Sequence, residues 1–141
     1  SVLGEDGLEL NFWKIAMRPG KPLMVGRFGA THVLGLPGNP VSSLVCAHLF
    51  LRPLIARLSG REYSPDIRNA VLGSGMKQND VRRDYVRAAA FRGPSGLVAT
   101  PFDLQDSSML GTLAAANALI IREPHAPAAA QGEPCRVLMI R

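Results

Sequence analysis

Cysteine is scarce in this 141-residue sequence: Cys46 and Cys135 are the only two, far apart and in no Cys-x-x-Cys or Cys/His spacing. A disulfide framework and a zinc site are excluded, and both cysteines read as small apolar residues in a reducing compartment. Histidine is as thin, with His32, His48 and His125 isolated from one another, so none reads as a metal ligand. Aromatics amount to five Phe, two Tyr and one Trp, and they form no series that could stack the bases of a single strand. The excess of 16 Lys and Arg over 11 Asp and Glu is dispersed in ones and twos. That balance favours a phosphate or oxyanion partner, and no nucleic acid is expected. No apolar run approaches the roughly 20 residues of a membrane span, and no cationic stretch leads into an apolar core at the start. No membrane association and a cytoplasmic location are therefore expected.

What the sequence does have is a globular balance, with 47% hydrophobic and 19% charged residues, together with 14 Gly and 11 Pro. So many turn formers exclude a helix bundle and predict short elements in which strands are prominent. The chain opens at Ser1-Val2-Leu3-Gly4 without a methionine, and is expected to be part of a longer polypeptide.

Apolar runs at 12–17, 23–25 and 32–36 predict three strands, the first two separated by Arg18-Pro19-Gly20-Lys21-Pro22. Val41, Leu44, Val45, His48 and Leu49 follow at the i, i+3, i+4, i+7, i+8 spacing of an amphipathic helix. Pro53 is expected to kink or divide this helix and Gly60 to stop it. The polar stretch 61–66 reads as a domain boundary. Beyond it, strands are predicted at 67–72, 84–91, 97–101, 118–122 and 135–140, with a hairpin turn at Gly93-Pro94-Ser95-Gly96. A short helix over 107–116, capped by Ser107 or Ser108, is expected to close near Asn117. The fold class is thus an α/β fragment, the end of a doubly wound domain, followed by a small all-β barrel-like domain.

The chemistry centres on the turn between the third strand and the helix. Pro37 fixes φ, Gly38 admits a close ligand approach, and Pro40 pushes Asn39 out of the α region, where it caps the helix. The amides of Val41, Ser42 and Ser43, at the positive end of the macrodipole, together with the Ser42 hydroxyl, are expected to face an oxyanion. If the two strands run parallel, Arg18 and Lys21 converge on the same anion from the neighbouring turn.

Met17-Arg18-Pro19-Gly20-Lys21-Pro22, Gly35-Leu36-Pro37-Gly38-Asn39-Pro40-Val41-Ser42, and Arg52-Pro53-Leu54 with Leu58-Ser59-Gly60 resemble the molybdopterin-binding domain shared by the MoeA family and the E domain of gephyrin. Arg83-Asp84-Tyr85-Val86-Arg87 and the stretch 105–119 are similar to that family's C-terminal barrel. The family usually has Lys where Arg18 stands and Gly where Asp106 stands. The resemblance implies that residues 1–62 are the end of the molybdopterin-binding domain and 63–141 the barrel domain. It implies a transferase that inserts molybdate into adenylylated molybdopterin with release of AMP, inactive as this chain alone. Arg18 and Lys21 would neutralise charge in catalysis; Pro37, Gly38, Asn39, Pro40 and Ser42 would bind the cofactor's oxyanion. Arg87 and Ser107 would complete the cleft across a homodimer. Mg2+ would be held by acidic residues upstream of residue 1, and a molybdopterin adenylyltransferase would be the upstream partner. The alternative implied by the same family is a non-catalytic binding or scaffold module of the gephyrin E-domain type.

Overall fold

The fold is that of a computed structural model, which describes residues 7–94, 96–103 and 110–141. It begins with an antiparallel sheet of three strands, β1 (Leu8–Trp13), β3 (Met24–Phe28) and β4 (Thr31–Gly35), in the order β1-β3-β4. The first strand lies N-terminal to the predicted 12–17. Lys14 has φ 73°, a left-handed conformation that ends a strand, so β1 closes at Trp13, and its residues from Glu9 onward are exposed. A fourth, two-residue strand, β2 (Met17–Arg18), joins the other sheet.

The helical segment starts at α1 (Pro40–Cys46), widens into a π-turn over Ala47–Leu51 and continues as α2 (Arg52–Leu58). Pro53 accounts for the widening. An α-helical ring at 53 would press on the Leu49 carbonyl and leave it without a donor. In the π-turn the Arg52 amide bonds back to Ala47 O, five residues earlier. The division expected at Pro53 is therefore present as a π-bulge rather than a break. The 19 residues Pro40–Leu58 are long and apolar enough to cross a bilayer by length and composition alone. In the fold, however, Val45 and Cys46 pack with Met17, Leu23, Leu119 and Leu138 in one buried cluster.

The second sheet runs β2-β6-β7-β5-β9-β8, built from β5 (Ile67–Leu72), β6 (Arg83–Gly93), β7 (Gly96–Pro101), β8 (Ala118–Arg122) and β9 (Pro134–Met139). Because β8 also pairs with β6 from Ala88↔Ala118 to Asp84↔Arg122, strands β5 to β9 close into a five-stranded barrel, as the sequence led us to expect. So narrow a barrel leaves little room inside. Its buried cluster is correspondingly small-sided: Ala70, Ala88, Ala90, Ala99 and Ala118, filled out by Leu72, Ile120 and Val137. The hairpin joining β6 to β7 closes at Gly93↔Gly96, where Gly96 has φ 121°.

A short helix, α3 (Leu110–Ala115), precedes β8. Asn117 follows it, its side chain accepting from Ala90 N at 2.7 Å and donating to Ala90 O at 2.8 Å. The expected cap at Ser107 or Ser108 lies outside the described residues. The two halves of the chain are tied together by parallel pairing of β2 with β6 and by the shared buried cluster.

Candidate functional site

The turn at 18–22 precedes β3, and the turn at 36–39 follows β4. β3 and β4 form an antiparallel hairpin in which Met24 faces Gly35, so both turns emerge at the same end of the sheet. The strands that lead into the two turns, β1 and β4, are each antiparallel to β3 between them and therefore run parallel to each other, as the convergence of the two loops requires. Between this sheet end and the barrel lies a cavity of about 480 Å³. Its lining includes Arg18, Lys21 and Ser42 from the first half and Arg82, Asp84 and Arg87 from the barrel. Four basic side chains thus face one acid.

The expected oxyanion turn takes a different form. Asn39 caps the helix as anticipated, with φ −72° and ψ 126°, but its Oδ1 accepts from Val41 N at 3.1 Å and Ser42 N at 3.2 Å. The Ser43 amide bonds to Asn39 O at 2.8 Å. All three amides expected to meet the anion are therefore engaged, two by the Asn39 side-chain cap and the third by the first backbone bond of the helix. Pro37 is buried, Gly38 and Pro40 are exposed, and Asn39 is half-buried; none of the four lines the cavity. Val41 and Ser42 do, Ser42 being 6% exposed.

Arg18 is not a free cation. Its Nε donates to Asp84 Oδ2 at 3.1 Å, its Nη2 donates to the same oxygen, and its Nη1 lies 3.4 Å from Asp80 Oδ2. The hydrogen bond with Asp84, followed by the charges of Asp84 and Asp80, raises the guanidinium further above its ordinary value against the opposing effect of burial. Asp80 in turn accepts from Arg82 N at 2.8 Å and Arg82 Nη2 at 3.0 Å, contacts that hold its carboxyl below the ordinary value. Lys21 is exposed at the cavity wall. Arg87 is buried at 2% exposure and shares the cavity with Arg18, Lys21 and Ser42 of its own chain. Ser107 lies outside the described residues.

The sequence reading assigned no role to Asp80, Arg82 or Asp84. A usable signal existed for Asp84, an acid inside an apolar barrel strand, which needs a cationic partner when buried. Among the described residues no three His, Cys, Asp or Glu side chains are grouped to hold a metal.

The first half of the chain and the closed five-stranded barrel thus form a two-part structure that shares one cavity lined by four basic side chains. Residues 69–140 match the MoeA C-terminal region (domain IV), and residues 1–57 match a probable molybdopterin binding domain. The chain belongs to the MoeA family. A molybdopterin molybdenumtransferase of Haemophilus influenzae is 32% identical over 136 residues, which cover 94% of this chain and 33% of the relative. The corresponding protein of Bacillus subtilis is 34% identical over 136 residues, covering 96% and 32%. The crystal structure of a molybdopterin biosynthesis MoeA protein from Pyrococcus horikosii superposes with a TM-score of 0.81 at 28% identity, covering 99% of this chain and 34% of that one. The chain thus spans about a third of the length of these relatives.

Proposed function

We propose that this chain forms one wall of the substrate cavity of a molybdopterin molybdenumtransferase, which inserts molybdate into adenylylated molybdopterin with release of AMP. The observation that carries this reading is the cavity at the joint, to which both family-matched regions contribute cations and Ser42 contributes a buried hydroxyl. A phosphate-bearing substrate loses part of its hydration on entering, and fixed cations replace that hydration without having to reorganise. Lys21, Arg18 and Arg87 supply this charge, and the Ser42 hydroxyl can donate a hydrogen bond to an oxyanion. The role is electrostatic and orienting, and it requires no proton transfer by these residues.

The family reading also calls for Mg2+. The described residues do not fit it: they hold no group of three ligating side chains, and the carboxylates nearest the cavity, Asp80 and Asp84, are engaged by arginines. The ligands of the metal are proposed to come from the part of the protein before residue 1. The same reading makes a homodimer the working assembly, a molybdopterin adenylyltransferase the supplier of the substrate, and the cytoplasm the location.

Titration of the full-length protein with adenylylated molybdopterin tests the site. Lys21→Ala combined with Ser42→Ala should weaken binding about a hundredfold, the scale of one charged and one neutral hydrogen bond lost together. An unchanged dissociation constant would remove this cavity as the substrate site.

A further inference from the structure

Asp84 sits where strand pairing, burial and charge meet. β2 and β6 run parallel, with Arg18 and Asp84 as register partners, although 66 residues separate them in the chain. One carboxylate oxygen, Oδ2, receives both Nε and Nη2 of Arg18. The other, Oδ1, is buried and has no hydrogen-bond partner among the described residues. A carboxylate 6% exposed and half satisfied requires a compensating charge nearby, and Arg18 supplies it. The benefit is reciprocal. Arg18 stands on a strand of only two residues with half of its side chain exposed, and such a side chain has many rotamers to lose. The two-point contact with Asp84 selects one of them.

We propose that Asp84 is a positioning residue of the cavity, holding the Arg18 guanidinium at the rim so that its remaining donors meet the anionic end of the ligand. A guanidinium carries five N–H donors. Asp84 takes one from Nε and one from Nη2, and Asp80 takes one from Nη1, so each terminal nitrogen keeps one N–H. These two remaining N–H groups are the donors that Arg18 has left to offer a phosphate or oxyanion. Asp84 therefore acts on the ligand through Arg18, and it does so from the barrel while Arg18 belongs to the first half of the chain. The inference rests on the cavity being the molybdopterin site.

A mutant cycle in the full-length protein tests it, with adenylylated molybdopterin as the probe. Asp84→Asn should weaken binding about tenfold, the scale of one charge-assisted contact, and Asp84→Glu should recover most of the loss. In an Arg18→Ala background, Asp84→Asn should change the dissociation constant no further. An equal loss in both backgrounds overturns the proposal, as does a lowered melting temperature with unchanged affinity. A second readout needs no ligand: the Arg18 Nε–H resonance should exchange slowly in the wild type, quickly in Asp84→Asn and slowly again in Asp84→Glu. A resonance indifferent to Asp84→Asn likewise overturns the proposal. Should the wild type take up no probe, the functional reading fails, while the resonance still decides whether Asp84 holds Arg18.

Discussion

The sulfur of Cys46 lies 4.0 Å from the carbonyl oxygen of Gly20, so the turn that carries Arg18 and Lys21 rests directly on the first helix. Gly20 has φ +116°, and a Cβ built there would come within 2.6 Å of Cys46 Sγ and 3.0 Å of Met17 Cε. Gly20→Ala should therefore destabilise the protein by about 2 kcal/mol through backbone strain and overpacking. Cys46→Ala in the same chain should relieve the contact but not the φ strain. Melting temperatures of the single and double variants test this: full recovery in the double variant would show that sterics alone fix glycine at this turn. Burial pushes the Cys46 thiol up to about 11, so it packs as an apolar group rather than reacting as a thiolate.

Removing one member of the Arg18–Asp84 pair should cost more than removing both. Arg18→Ala strands a buried carboxylate, with an expected loss of about 2 kcal/mol, discounted because Arg18 is half exposed. Adding Asp84→Asn neutralises the stranded charge and should restore part of the stability. Chemical denaturation of the two variants decides it, and a double variant less stable than Arg18→Ala alone would contradict the account. For the same reason, loss of activity in Arg18→Ala alone does not separate a binding role from a folding one.

His48 gives a pH dependence of known sign. Burial above all, then the charges of Arg52 and Arg141, lowers it below its ordinary value of 6.5, and its Nδ1 lies 3.1 Å from Arg52 Nη1. The unfolded chain binds this proton more readily than the folded one, so stability is highest above pH 6.5 and falls as pH drops through 6.5 toward the folded value. Carboxylates such as Asp66 and Asp80, lowered from 3.8 by hydrogen bonds with arginine, act in a more acidic window. Melting temperature measured from about pH 7.5 to about pH 5.5 should fall in the wild type and change less in His48→Gln. Equal slopes would remove His48 as the cause.

The barrel was more legible in the sequence than the site. Ile67–Leu72 and Ala118–Arg122 begin and end where the apolar pattern does, because turn residues bound β-branched and small apolar runs. β1 was misplaced because its side chains are mostly exposed, leaving no buried face to mark it, and because Lys14 breaks the run that looked continuous. The cap at Asn39 was readable from Asn-Pro. Its consequence, that the cap occupies two of the amides an anion would need, depends on the side-chain rotamer. The pairing of Arg18 with Asp84 depends on β2 lying beside β6, a tertiary contact that no local pattern encodes.

With the helix amides capped and Arg18 held between two aspartates, Lys21 becomes the cation with the most charge to offer. It is exposed at the cavity wall and makes no ion pair among the described residues. Its contribution should therefore be electrostatic and sensitive to screening, which is effective over about 10 Å at 0.1 M salt and about 3 Å at 1 M. For the full-length protein and adenylylated molybdopterin, Lys21→Gln should weaken binding about tenfold at low salt. The difference from wild type should shrink as salt is raised, and Lys21→Arg should retain most of the affinity. Because the substitution removes one unpaired positive charge, it should also make the affinity of the variant less salt-dependent than that of the wild type. Parallel salt curves for the two proteins would assign the screening to other cations of the cavity, with Arg87 the first to substitute next.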